Sequence, residues 1–413
     1  MKLSGTSRYA LRSLSRNRRR TLISVVGVAI GVAIGLLNLS WVRGERTTFL
    51  RAAAGSGAGH LRVTPEGWNE SRDMALRLDG GEQELAAIRE LDEVAVATPR
   101  VRMGGLLAMG TRVASPEITG VDPATEPGAL RFVQSLAEGR YLEPGDRGVT
   151  VIGRALAARL EVGVEDELVA TVVDPQGEIQ SALFTVVGLI DTGSRAIDSA
   201  LCHVPIADGM ELSGHVGLGE ITIILHDPLA MEVGRAAVAG AVSGTDELLE
   251  WDQVSAELAA GVKADEAFAG VTVGVILFVV LLGIMSARLT SVLQRRKELS
   301  VLRALGMSAG RIWRLMFTEG LALGLAGWLL SLLFAFGPVY YLATTGIDIR
   351  DFMGEGDLAM SGVLMEPIMY ADFGAWLLPY AAGLSLVATL LASIYPAWFA
   401  VRIEPASGVR VDQ

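Results

Sequence analysis

The sequence predicts an α-helical membrane protein with four transmembrane helices and a large extracytoplasmic α+β domain inserted between helices 1 and 2. Three observations lead there. First, four stretches carry no Asp, Glu, Lys or Arg: 21–42 (22 residues), 267–287 (21), 320–347 (28) and 373–401 (29). About 20 apolar residues cross a bilayer, and clean runs of this length are rarely soluble core helices. Second, residues 45–265 hold 35 acids against 17 Lys/Arg, a net of −18, while the rest of the chain is +7. Third, Lys and Arg gather on one side of the spans. Residues 1–20 hold seven and no acid, 288–314 hold seven with one acid, and 345–372 hold one with six acids. Basic segments stay in the cytoplasm, so both termini and 290–314 are expected inside, with 44–265 and 345–372 outside.

In chain order, residues 1–20 read as a cytoplasmic amphipathic helix, with Leu3, Tyr9, Leu11 and Leu14 toward lipid and the arginines toward headgroups. A signal peptide is rejected, because the apolar run is too long for an h-region and no A-x-A site follows. The first span, 21–43, repeats Gly27, Gly31 and Gly35 every four residues. Small residues so spaced let a second helix approach, which predicts a packing face or a gate contact.

Residues 44–56 continue helix-like. From His60 the chain changes to short apolar runs at 60–63, 169–173, 183–187 and 220–225, as strands require. Turns are expected at Glu143-Pro144-Gly145-Asp146 and Asp174-Pro175-Gln176-Gly177. Helical periodicity marks 82–91, 154–160 and 231–242. The result is a mixed α+β domain large enough for its own core, with a helical return at 254–265. The lone cysteine, Cys202, lies in an apolar stretch and reads as a buried structural thiol.

The second span, 267–289, leads into a basic elbow at 290–314. Leu299, Leu302 and Leu305 recur every three residues, as one face of a short helix. Gly306 suits a left-handed C-cap, and Ser308 suits the N-cap of the next helix. In the third span, 315–344, Glu319 lies about 7.5 Å of helix rise beyond Arg314. An ionisable residue at that depth is a functional candidate, with snorkelling to the interface as the alternative. Pro338 is expected to kink this span. An exterior loop, 345–372, precedes the fourth span at 373–401 and a cytoplasmic tail at 402–413.

These segments also resemble a known family. Glu298, Leu302, Arg303, Ala304 and Gly306 reproduce the E-x-x-x-L-R-A-x-G segment of FtsX/MacB-type (type VII) ABC transporter permeases. Exterior motifs agree: Gly120-Val121-Asp122-Pro123, Glu138-Gly139-Arg140-Tyr141-Leu142 and Val151-Ile152-Gly153-Arg154-Ala155-Leu156-Ala157. The family's L-G-x-x-x-G-D appears as Leu160 to Asp166, with Glu165 in place of the second glycine. The ending Tyr395-Pro396-Ala397-Trp398-Phe399-Ala400-Val401-Arg402-Ile403-Glu404-Pro405 resembles the family's last helix.

The resemblance implies that Glu298, Leu302, Arg303, Ala304, Leu305, Gly306 and Met307 form a coupling helix that docks on an ATPase. It implies that Gly27, Gly31, Gly35 and Glu319 serve helix packing or a gate. The pattern is similar to lipoprotein-releasing permeases of the bacterial inner membrane. The implied partners are two separate ABC ATPase subunits, a second permease copy or paralogue, a lipoprotein or lipid substrate, and a periplasmic carrier. Drug or peptide efflux, or FtsX-like control of a cell-wall hydrolase, are the competing functions.

Several classes are disfavoured. No G-x-x-x-x-G-K-[ST] loop occurs, so ATP binding by that route is not expected in this sequence. The acidic exterior argues against nucleic acid. The four histidines, His60, His203, His215 and His226, lack metal-ligand spacing, so no metal, cofactor or catalytic residue is expected.

Overall fold

The computed structural model describes residues 18–71, 73–173, 177–254, 256–350, 359–360 and 363–402. The expected 1–20 helix (up to residue 17), the 174–176 turn and the 403–413 tail lie outside the described residues. The chain forms two compact units, one of Arg46–Lys263 with Asp348–Met369, the other of Met1–Glu45, Ala264–Ile347 and Tyr370–Gln413.

The first unit is α+β. Its strands are β1 (Leu61–Thr64), β2 (Val94–Gly104), β3 (Leu106–Met109), β4 (Arg112–Ala114), β5 (Glu117–Val121) and β6 (Leu136–Gly139). They continue with β7 (Val149–Gly153), β8 (Glu167–Val173), β9 (Ile179–Ile190), β10 (Leu201–Pro205), β11 (Glu220–Leu225) and β12 (Glu247–Glu250). One 12-stranded sheet runs β12-β1-β11-β2-β5-β10-β7-β9-β8-β3-β4, with β6 beside β9. It is mixed: β10 is parallel to β5 and β7 to β9, and the other pairs are antiparallel.

Alternation explains the hairpin of β8 and β9. Leu168, Ala170 and Val172 point inward, while Val169 and Val173 stay exposed. Apolar clusters hold the sheet, among them one around Ile118, Ile152, Leu156 and Phe184, one around Leu61, Ile88, Ile221 and Ile223, and one around Val121, Val151, Phe132 and Ile190. β2 is not legible as a strand because its middle reads Ala97-Thr98-Pro99-Arg100, and its two arginines are neutralised only by distant carboxylates. Glu165 adopts φ +74°, so the turn keeps the left-handed geometry that glycine would take without strain. The segment expected as a plain exterior loop partly belongs to this unit. Arg131 Nη1 lies 3.0 Å from Glu366 Oε1, and Leu364 N donates to Ser56 Oγ at 2.9 Å.

Among the described residues, four helices are long and apolar enough to cross a membrane. They belong to α1 (Arg18–Gly55), α8 (Ala256–Gln294), α10 (Ala309–Thr344) and α11 (Leu377–Arg402), and α9 (Arg296–Ala304) stands between α8 and α10. Between α1 and α8, in the α+β unit, lie α2 to α7, Gly81–Arg89, Glu126–Ala129, Arg154–Leu160, Arg195–Ala200, Ile206–Ser213 and Met231–Ala239, with single helical turns at Trp68–Ser71 and Trp251–Val254. α10 continues through Pro338 and α11 through Pro396. α10 and α11 meet through small residues: Ser385 Oγ donates to Gly324 O at 2.8 Å, and a Cβ on Gly320 would lie 2.6 Å from Ser393 Oγ. Without a hydrophobic drive between helices in lipid, such close approach and hydrogen bonding hold spans together.

Candidate coupling site

The elbow is α9 and the turn that follows it. Gly306 takes φ +88° and its N–H donates to Arg303 O at 3.0 Å, while Met307 N donates to Leu302 O at 3.0 Å. This double closure is a Schellman motif with glycine at the left-handed position, so two of the helix's orphan carbonyls are satisfied inside the turn. Ser308 holds the N-cap of α10 in extended geometry, and its carbonyl accepts from Ile312 N at 3.3 Å. Its hydroxyl makes no cap bond, a departure from the expected side-chain cap.

The expected leucine face is only partly a face. Leu299 is buried among Val292, Ile312, Leu315, Met316, Ala397 and Ala400, Leu302 is half-buried, and Leu305 is 80 % exposed. A spacing of three turns each residue about 300°, so side chains rotate off the buried stripe within two steps. Met307 packs on the cluster that buries Leu299, and Ala304 is exposed. Glu298 pairs with Arg295 at 3.3 Å, and Arg303 Nη1 donates to Val401 O.

Glu319 reaches toward the elbow. It is 7 % exposed, and its Oε1 accepts from Arg295 Nη1 at 3.0 Å. One turn away, Arg288 donates to Met316 O at 3.0 Å and to Ser393 Oγ at 2.7 Å. Sequence reading missed Arg288, Arg295 and Ser393. A usable signal existed: Ser385, Thr389 and Ser393 repeat every four residues opposite Gly320, Gly324 and Gly327.

The three glycines of the first span do not share one contact. A Cβ on Gly31 would overlap Val280 of α8, one on Gly35 would lie 3.1 Å from Leu384 of α11, and one on Gly27 would meet nothing within 4 Å among the described residues. Steps of four drift about 40° each, so the row winds past two neighbours.

The α+β unit buries a second set of charges. Arg100, 1 % exposed, grips Glu126 through Nη2–Oε1 at 2.7 Å and Nε–Oε2 at 3.1 Å, and its Nη1 donates to Gly57 O at 2.6 Å. Arg102 bridges Glu220 at 2.9 Å and Glu117 at 2.5 Å, and Arg62 lies 3.3 Å from Glu220. Burial would raise the Glu220 carboxyl, but Arg102, Arg62 and Arg100 hold it at about 2. His203, buried beside this set with Nδ1 2.9 Å from the Tyr141 hydroxyl, is pushed by burial down to about 4. Arg102, Glu117 and His203 line a cleft of about 290 Å³ with Leu130 and Phe132. Cys202 is 1 % exposed, and burial pushes its thiol up to about 12, which leaves it a core thiol rather than a nucleophile. Among the described residues no group of three or more His, Cys, Asp or Glu is arranged to hold a metal ion.

The sequence is similar to known permeases along its whole length. It is 25 % identical to the lipoprotein-releasing system transmembrane protein LolC of Xylella fastidiosa (strain 9a5c), over 97 % of this chain and 98 % of that one. It is 22 % identical to LolC of Neisseria meningitidis serogroup B, over 95 % and 94 %. The macrolide export ATP-binding/permease protein MacB of Hyphomonas neptunium is 26 % identical over 88 % of this chain but only 57 % of its own length. The family model of the MacB-like periplasmic core domain matches residues 21–241, and that of the FtsX-like permease C-terminal matches 270–405. With the core-domain match alone spanning more than half of its residues, the chain belongs to the FtsX/MacB-type permeases, the type VII class of ABC transporter permease.

Proposed function

We propose that this chain is the permease subunit of an inner-membrane ABC system that extracts a lipoprotein or lipid from the outer leaflet. ATP hydrolysis by two subunits of a separate ATPase drives the step. In this reading both termini and the elbow are cytoplasmic. The α+β unit, inserted between the first and second spans, is periplasmic and delivers to a carrier. The observation that carries it is the elbow: a short helix, closed by the Gly306 turn, that leaves Leu305 80 % exposed at its end and Arg296 and Lys297 exposed at its start. An exposed apolar tip in a basic setting suits a docking contact. The likeness to LolC sequences along the whole chain supports the substrate class. On α8, Phe268, Val271, Val275, Phe278 and Val279 are all more than half exposed, which leaves a span face for a second permease copy or paralogue.

Reconstitution with the co-purified ATPase in proteoliposomes tests the function. ATP-dependent release of an acylated lipoprotein to a soluble acceptor is expected. Release that fails while a macrolide or peptide is moved would select the efflux reading, which the MacB relatives favour. Orientation is tested by thiol labelling in spheroplasts. Cysteine at Val216, 92 % exposed, should react with an impermeant reagent, and cysteine at Ser308 only after permeabilisation.

A further inference from the structure

The elbow is fastened at both ends, and to different spans. At its start the Arg295 side chain, 11 % exposed, holds Glu319 of α10, 9 % exposed, at 3.0 Å. In its last turn Arg303 donates to the main-chain carbonyl of Val401 in α11. Eight residues separate the two arginines, about 12 Å along the axis. Between them Leu299 sits in the apolar cluster formed by Val292, Ile312, Leu315, Met316 and Ala397. Arg288 then ties α8 to α10 through Met316 O and to α11 through Ser393 Oγ. A displacement of the elbow is therefore delivered to α10 and α11 at once, while α8, continuous with the elbow through Arg295, is tied to both by Arg288.

Stability does not explain the Arg295–Glu319 pair. Desolvating two charges offsets most of their attraction, and apolar residues of similar volume often hold a buried site as well. What an ion pair adds is direction. Apolar surfaces slide past one another, whereas a paired guanidinium and carboxylate keep their register, the best-attested use of buried charge. We infer that Glu319 and the Val401 carbonyl are the two points at which the elbow moves the third and fourth spans, with Arg295 and Arg303 as positioning residues. The inference rests on the elbow being the ATPase contact.

The test uses the full chain, co-purified with its ATPase and reconstituted, and reads substrate released per ATP hydrolysed. Glu319→Gln keeps the shape and an acceptor but removes the charge. Together with Arg295→Glu and Glu319→Arg, it should still capture the ATPase while the ratio falls on the order of tenfold, within the range by which mutations along a coupling path change it. The exchanged double variant should recover most of it. Arg303→Lys, which keeps a donor, should stay near wild type, and Arg303→Met should not. A purely structural role would lower yield and leave the ratio unchanged. A wild-type ratio in Glu319→Gln, or no recovery in the exchanged pair, overturns the inference alone. Failure of the unaltered chain to capture the ATPase overturns the docking reading and this inference with it.

Discussion

In the α+β unit, Arg62, Arg100 and Arg102 face Glu117, Glu126 and Glu220, three charges against three, and the set closes on itself within that unit, with Glu126 supplied by α3 and the rest by the sheet. In the helical unit, Arg288, Arg295 and Arg303 reach a carboxylate, a hydroxyl and main-chain carbonyls on other helices. A closed set resists any rearrangement, because separating one member strands a buried charge. An open set transmits displacement, because each link joins a side chain of one helix to another helix. The difference contrasts a scaffold in the α+β unit with a lever at the elbow end of the spans. Four measurements test this contrast.

The largest effect should come from the closed set. Glu126→Ala leaves Arg100 buried without its bidentate partner and is expected to destabilise the α+β unit by about 3–5 kcal/mol. Hydrogen exchange over β2 and β5 in the full chain reads this directly. A change below about 1 kcal/mol would mean that the set is not a scaffold.

Acid should act next, through two buried imidazoles. His60 accepts from Leu225 N at 3.0 Å, and burial pushes both His60 and His203 down to about 4. Their folded values lie below the unfolded value of about 6.5, so the unfolded chain binds more protons in between. Stability from both groups is complete above pH 6.5 and is lost as pH falls toward 4. Protonation of His60 Nδ1 would set two donors against each other. Unfolding midpoints across this window should drop in the wild type and less steeply in His203→Gln. Equal slopes would place His203 outside the effect.

The first span offers a smaller contrast. Gly31→Leu should insert but force Val280 aside, an overpacking of about 1–3 kcal/mol, with weaker transport. Gly27→Leu, on the open side, should be silent in the same melting and transport measurements. If the two behave alike, α1 is a tether rather than part of the packed bundle.

The smallest effect reverses sign. Glu165 holds φ +74°, and a left-handed residue with a side chain costs about 1 kcal/mol. Glu165→Gly should therefore stabilise the α+β unit by roughly that amount, less the extra freedom glycine gains when unfolded. A melting point that falls instead would show that the Glu165 side chain contributes more than its backbone strain costs.

Sequence alone determined the features set by composition and short-range spacing. Span length follows from runs without charge, and the expected orientation from where Lys and Arg gather. The elbow's end follows from one glycine at the only kind of position that favours it. The hairpin of β8 and β9 follows from alternation between Leu168 and Val173. Tertiary structure decided the partners. Arg100 and Glu126 are 26 residues apart, Arg295 and Glu319 are 24 apart, and Arg288 and Ser393 are 105 apart. No local period relates such pairs, and each arginine read alone looks like a solvated positive charge. The same holds for Gly27 and Gly31, identical in spacing, of which one meets α8 and the other meets no neighbour among the described residues. Local patterns report which face of an element is apolar, whereas only the packed bundle settles what that face touches.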